Sequence, residues 1–575
     1  LNTTEATTLK TALDGSAERF GDRPALGLVD GEMLTFSRFH QLVQDVTLLL
    51  QHRGVVPGDR VAILGENMPN WGVAYFAITT MGAVAVPILQ EFHDTAVQHI
   101  LRHSESVALF ASRRYMHKVD YAEFDNMHTK ITLDDFSVDP NDGLKQSFKE
   151  AMAQARSRYE QVKERLMRFM DKKGGNYTEG VQPDDLAAIL YTSGTTGHSK
   201  GVMLTHRNII FDAQSTANIV NIVETDRLMS VLPLAHTYEC TLGLVIPILR
   251  GASVHYLGKP PTPRTLMPAL AKVKPTYLLI VPLVIEKIYK NRILPKLAGS
   301  GIGRNLMKIG AAKKKLQQVA GRKLMEAFGG NIKCIPIGGA FLAPEVELFL
   351  RNAEIPYAVG YGMTETSPLV SGSTPETTKF RSAGYPVPGV DVIVDNPDPE
   401  TGEGELLVKG PNVMQGYYKA PLVTEEVFTE EGYFRTGDLG YVDEDGYIFL
   451  RGRLKNVIIG PSGENIYPEE IEAVINECDH VLESLVFRQE GKLVARVFLD
   501  SEGIDEKFST RKMTETKAYD KVRQIIEGIR KKVNGRVSTF SRLARIIEQV
   551  EPFEKTPTHK IKRFLYIDAE ENTVR

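Results

Sequence analysis

Cysteine is scarce in this chain of 575 residues: Cys240, Cys334 and Cys478 stand far apart. That spacing excludes a disulfide framework and a zinc pattern, and it fits a reducing compartment. Long hydrophobic runs are missing as well. The longest, Thr241 to Leu249, ends at Arg250, far below the ~18 residues that cross a bilayer, so no transmembrane helix is predicted. The opening Leu1-Asn-Thr-Thr-Glu has no basic-then-apolar signal segment, which predicts a cytoplasmic protein. Charge of one sign is not in excess: a net charge of -3 argues against nucleic acid as the main partner. No repeat of fixed period is evident. With 42% hydrophobic and 25% charged residues the composition is that of a folded protein. The length exceeds what one core supports and suggests about three or four modules.

What is present is alternation of strands and helices. Arg60–Leu64 reads as a buried strand, Asn70 to Met81 as a helix packed by Trp71, Tyr75 and Ile78, and Ala83 to Pro87 as the next strand. This is a βαβ pattern and implies a parallel sheet. Residues 8 to 53 read as helical patches around a turn at Asp30-Gly31, and residues 145 to 173 as one long amphipathic helix. The alternation resumes at 227–281, and short strands with frequent turns mark a β-rich subdomain at about 387–452. Beyond Arg453 the pattern becomes a compact α+β unit. The expected fold is α/β: an N-terminal domain, 1–454, of two parallel-sheet subdomains plus the β-rich one, then a small C-terminal domain, 455–575. Basic residues dominate from Glu286 to Lys323, with one acid among them. This predicts a solvated helical pair, and an anionic membrane surface is the partner it would fit.

The segment Tyr191-Thr-Ser-Gly-Thr-Thr-Gly-His-Ser-Lys200-Gly carries the chemistry. It follows an apolar run, Leu186 to Leu190. Gly194, Gly197 and Gly201 let backbone N–H groups approach an anion; Thr192, Ser193, Thr195 and Thr196 add hydroxyls, and Lys200 adds a point charge. It is not the common mononucleotide loop, which needs Ser or Thr directly after the lysine. Gly201 stands there.

This segment resembles the phosphate loop of the adenylate-forming superfamily, which includes acyl-CoA synthetases, firefly-type luciferases and peptide-synthetase adenylation domains. Further stretches resemble that superfamily in the expected order: Gly360-Tyr-Gly-Met-Thr-Glu365-Thr, Tyr433-Phe-Arg-Thr-Gly-Asp438, Leu450-Arg-Gly-Arg453-Leu-Lys455, Gly463-Glu-Asn-Ile-Tyr-Pro468 and Thr556-Pro-Thr-His-Lys560-Ile-Lys-Arg. Ser199 and His559 depart from the common Pro and Gly without removing a functional group. Within the superfamily the chain most resembles long-chain fatty acyl-CoA synthetases, through its Thr556–Arg563 ending, the Ile337-Gly-Gly-Ala340 stretch and a helical insertion near 285 to 330.

The resemblance implies ATP, magnesium and CoA. It places the β- and γ-phosphates on the loop from Thr192 to Lys200, magnesium on Glu365 with the Thr192 hydroxyl, and the α-phosphate against Thr364. Gly339, Ala340, Gly360 and Tyr361 would lie along adenine, and Asp438 and Arg453 would hold the ribose. Lys560 would bridge carboxylate and α-phosphate. Lys455 would be the hinge of a mobile C-terminal domain that later presents Ser462, Gly463 and Glu464 to CoA. His236 matches a position beside the acyl carboxylate; only Tyr238 stands near it as an aromatic gate, with Cys240 four residues on. The expected function is a medium- to long-chain fatty acid–CoA ligase. An acyl carrier protein ligase or a fatty acyl-AMP ligase remains the alternative of the same fold, and a nucleotide phosphotransferase the alternative of another class.

Overall fold

A computed structural model describes residues 6–120, 124, 126–139, 145–172, 180–192, 199–298, 309–460, 464–556 and 560–567. Two parallel sheets form the bulk of the molecule. In the first, Arg60–Leu64 pairs in parallel with Val84–Ile88 and Ala108–Ala111, and Val84–Ile88 also pairs with Leu186–Thr192. Lys200–Thr205 and Gly416–Tyr417 extend that edge antiparallel. The second sheet sets Arg227–Ser230 beside Ser253–Tyr256 and Tyr277–Leu278. Parallel bridges from Tyr277 and Ile280 to Cys334 and Ile337 continue it to Ile335–Ile337 and Tyr357–Val359.

The helix Pro69–Thr80 has every residue from Trp71 to Thr79 buried, with Trp71 stacked on Tyr75 at 5.5 Å. A helix that is apolar on all sides needs cover on all sides. It finds that cover between the two sheets, against Pro24–Leu28, Arg60–Leu64 and Val84–Ile88.

Three expectations are corrected. The opening segment is not purely helical: Pro24–Leu28 and Met33–Thr35 form a hairpin, and Pro24–Leu28 adds in parallel to Ser253–Tyr256. The run 145 to 173 is two helices, Phe148–Ser157 and Tyr159–Lys172, separated at Arg158, whose dihedrals leave the helical range. The first of them is fixed by packing on Phe36–His52 and by Arg156 on Asp45 at 2.8 Å. The buried helix expected at Thr241 to Leu249 belongs to a longer one that starts at Thr237 and widens into a π turn, Thr241–Val245.

Antiparallel strands Asp391–Asp395, Gly404–Lys409, Phe434–Val442 and Ile448–Arg453 follow. After the short turn Leu454–Asn456 a separate apolar cluster begins, built only from residues between Ile458 and Ile546. Its frame is Pro468–Asn476, Val481–Gln489, Lys492–Leu499, Glu515–Asn534 and Arg545–Gln549, with an unforeseen helix at Ser501–Phe508. Among the described residues no helix is long and apolar enough to cross a membrane.

Two glycines separate packing from conformational freedom. A Cβ on Gly362 would stand 1.9 Å from the Pro368 carbonyl oxygen, whereas one on Gly528, inside a helix, meets nothing within 4 Å. Gly362→Ala should therefore cost about 1–3 kcal/mol or more by overpacking, and Gly528→Ala should gain up to about 1 kcal/mol. Thermal midpoints moving in opposite directions would bear this out; equal midpoints would not.

Candidate active site

The strand ends on one side of the two sheets supply the site. Thr192 and Lys200 are paired opposite one another at the end of an antiparallel ladder. Ser193, Gly194, Thr195, Thr196 and Gly197 lie outside the described residues. Lys200 reaches over the Tyr417 ring, 5.0 Å from its centre, and the Tyr417 hydroxyl donates to Glu365 Oε1 at 2.9 Å. The Glu365 carbonyl accepts from Met414 N–H at 2.9 Å. Thr364 and Glu365 sit on a single 3-10 turn, Thr364–Thr366, tied down by the Thr241 hydroxyl on Ser367 O at 2.9 Å.

Asp438 lies within the strand Phe434–Val442, directly opposite Arg453 in register, because Gly437 at φ +68° lets the strand bend without leaving the ladder. Only 8% of Asp438 is exposed. Its two oxygens are held by the Tyr361 hydroxyl and by Arg453 Nε, both at 2.7 Å. Burial raises the Asp438 pKa; Arg453, Tyr361 and Lys560 pull it back. Tyr361 thus uses its hydroxyl on Asp438 while its ring lines the pocket with Gly339 and Gly360. Ala340, next to Gly339, is exposed.

Lys560 is tied to Thr556, whose N–H donates to Lys560 O at 2.7 Å. The residue keeps access to water, while surrounding groups desolvate its ammonium. Its pKa is lowered, first by that desolvation and then by Arg453, while Asp438 and Glu365 oppose the shift. Lys455 is exposed on its turn. Ser462 and Gly463 lie outside the described residues. The Glu464 carbonyl accepts from Gly460 N–H at 2.8 Å.

His236 lines a cavity of about 70 Å³ together with Ile219, Leu242 and Tyr238. Its Nδ1 accepts from Tyr238 N–H at 3.2 Å, which puts the proton of the neutral ring on Nε2. Burial, then repulsion from Lys560, lowers its pKa to about 4. The ring is therefore a neutral donor at physiological pH.

Two supports had no sequence signal. Tyr417 joins Lys200 to Glu365 from a strand more than 200 positions beyond the loop. Behind His236, Glu239 is 1% exposed and accepts from the Ser230 hydroxyl at 2.5 Å, and burial raises its pKa to about 8. Asn67 bonds Ser230, the Leu232 carbonyl and Leu234 N–H. This network fixes the Val231–His236 loop. Among the described residues no three His, Cys, Asp or Glu side chains gather as a metal cage. A single carboxylate such as Glu365 does suit magnesium that keeps phosphates and water as its other ligands.

Glycines thus line a pocket beside a fixed carboxylate and two cations, an arrangement that suits a phosphorylated ligand. Residues 13–418 match the AMP-binding enzyme family, and the chain belongs to that family of adenylate-forming, acyl-activating enzymes. It falls among the ATP-dependent acid–thiol ligases of the AMP-forming class. It is 30% identical to the long-chain-fatty-acid–CoA ligase FadD15 of Mycobacterium bovis, over 77% of this chain and 74% of that one. It is 27% identical to the long-chain-fatty-acid–[acyl-carrier-protein] ligase AEE15 of Arabidopsis thaliana, over 84% and 75%. The o-succinylbenzoate CoA synthetase of Bacillus subtilis, solved with an acyl-adenylate, shares the fold at a TM-score of 0.72 and 23% identity, over 98% and 99% of the two chains.

The His236 pKa has a definite thermodynamic sign. The folded value, about 4, lies below the ordinary 6.5, so the unfolded chain takes up the proton first. Stability from the neutral ring is full above pH 6.5 and is lost as the pH falls toward 4. The stability advantage of the native protein over His236→Gln should narrow across that window, as measured by thermal midpoints from pH 7 to 4. A constant difference would refute the assignment.

Proposed function

We propose that the protein is a medium- to long-chain fatty acid–CoA ligase that makes an acyl-adenylate with release of pyrophosphate, then an acyl-CoA thioester with release of AMP. The observation that supports this reading is the gathering of Lys560, Arg453, Asp438 and Glu365 beside Tyr361 and neutral His236, two residues that line an apolar cavity. The apolar side chains Ile219 and Leu242 suit the first carbons of an acyl chain, whose carboxylate would meet the His236 Nε2–H and the Lys560 ammonium.

An ionised carboxylate resists nucleophiles at its carbon, so it must first gain a leaving group. Its oxygen attacks the α-phosphate of ATP, and pyrophosphate departs. Lys560 bridges the attacking carboxylate and the α-phosphate, placing positive charge where negative charge grows. Asp438 takes the ribose hydroxyls, with Arg453 steadying the carboxylate that does so; Thr364 faces the α-phosphate. Lys200 and the loop from Thr192 onward hold the outer phosphates. Glu365 and the Thr192 hydroxyl would hold magnesium, which neutralises phosphate charge when bound. After pyrophosphate leaves, the C-terminal domain turns near Lys455, carries Lys560 away and brings Ser462, Gly463 and Glu464 to CoA. The thiolate then attacks the acyl carbon, and AMP departs.

Pyrophosphate release across acids from acetate to oleate, with CoA present or withheld, tests the reading. Long-chain acids should be preferred, and AMP should appear with thioester. Release that needs acyl carrier protein in place of CoA would favour the carrier-protein ligase, and orthophosphate or ADP would refute both. Lys560→Ala should lose about 3–4 kcal/mol of stabilisation in the adenylating step and much less in transfer from preformed acyl-adenylate. Tyr361→Phe should raise KM for ATP by roughly fivefold, the scale of one hydrogen bond worth about 1 kcal/mol. An unchanged KM would remove Tyr361 from the ribose-holding group.

A further inference from the structure

One lysine of the basic stretch is half-buried against another part of the chain. Lys290 lies on a π-helical turn, Tyr289–Ile293, and its Nζ donates to Val481 O at 2.5 Å, Cys478 O at 3.3 Å and Asn476 O at 3.4 Å. All three carbonyls belong to the C-terminal unit, at and just beyond the end of the helix Pro468–Asn476. We propose that Lys290 is a positioning residue for acyl activation: it closes the carbonyl end of that helix across the domain boundary and so holds Lys560 in the cleft. The inference rests on the reading that activation and thioester transfer use two placements of the C-terminal domain.

The last carbonyls of a helix have no partner within it, and they form its negative end. This helix has no basic residue in its own last turn and runs directly into Glu477 and Asp479. Arg536, from the same domain, pairs with Glu477 at 2.5 Å. Cys478 O also accepts from Val481 N–H at 3.3 Å, but among the described residues the charged donor that these three carbonyls share is Lys290. Across the contact stands Glu286, one helical turn before Lys290, and the charge of Glu477 acts on it to raise its pKa further after burial has done so. Without the ammonium an acid would face an acid and the negative end of a helix.

A contact shifts a conformational equilibrium only if it differs between the two states. Three charge-assisted bonds from one nitrogen depend on a single relative placement of the two domains. Turning the C-terminal domain would break them together, and the same movement would withdraw Lys560. Lys290 touches no reacting atom; it acts through Lys560.

Two variants test this, Lys290→Met, which keeps the stem and removes the charge, and Lys290→Arg, which keeps the charge. In Lys290→Met, single-turnover pyrophosphate release should fall tenfold or more, while thioester formation from preformed acyl-adenylate stays within twofold of native. Lys290→Arg should retain most of the first step. Placed on Lys560→Ala, the methionine change should cost nothing further, because both act through one group. Equal loss in both half-reactions, no loss in the first, or additive losses would overturn the proposal. Native protein that released no pyrophosphate with any acid would count against the ligase reading instead. For that case amide exchange decides separately: residues 477–483 should exchange at least several-fold faster in Lys290→Met, and unchanged exchange would overturn the latch.

Discussion

A carboxylate withdrawn almost wholly from water must be met by donors, and Asp438 sets that condition for the whole cleft. Its oxygens bind Arg453 from the neighbouring strand and Tyr361 from a different sheet. The bond to Tyr361 ties the β-rich strands to the glycine-walled pocket, and the bond to Arg453 holds the strand that leads into the turn Leu454–Asn456. Removing either donor would leave a buried charge uncompensated. A carboxylate fixed in this way is prepared for a ligand with two adjacent hydroxyls.

Around that fixed point the charges oppose one another. Arg453 disfavours the charged form of Lys560, whereas Asp438 and Glu365 favour it, and Lys560 in turn helps to keep His236 neutral. The cleft thus keeps its cations poised in mutual repulsion, a state that an anionic ligand relieves. Preorganised charge of this kind stabilises negative charge that develops during reaction. The unit that carries Lys560 is itself held against the rest of the chain by contacts such as that of Lys290 with Val481 O.

Much of this was legible in the chain. The run Arg60 to Ile88 reads as strand, helix, strand because its β-branched and aromatic residues are spaced for burial, and the three elements occur within a few residues of expectation. Glu365, Asp438, Arg453 and Lys560 stand in short stretches whose turn residues and charges are distinctive, and they meet in space. Tyr417, Glu239 and Lys290 were not legible. A tyrosine in a two-residue strand, an acid beside a histidine and one lysine in a run of lysines look like ordinary surface or core residues until their partners are known. The hairpin at Pro24 to Thr35 was missed for a related reason: its stability comes from pairing with Ser253–Tyr256, far along the chain. The helix break at Arg158 has no proline or glycine to announce it.

The sequence by itself determined the local vocabulary: which segments are strands, where glycine permits a backbone to bend, and which charged groups occur in the order that adenylate-forming enzymes share. Those properties depend on neighbours in the chain and on the side chain itself. Only the tertiary structure decided that Asp438 is held from two sheets, that His236 is a neutral donor with its proton on Nε2, and that Lys290 donates to carbonyls at the end of a distant helix. Each of these depends on burial and on partners brought from distant segments. Desolvation and long-range pairing are set by the packed molecule and leave no local mark on the chain.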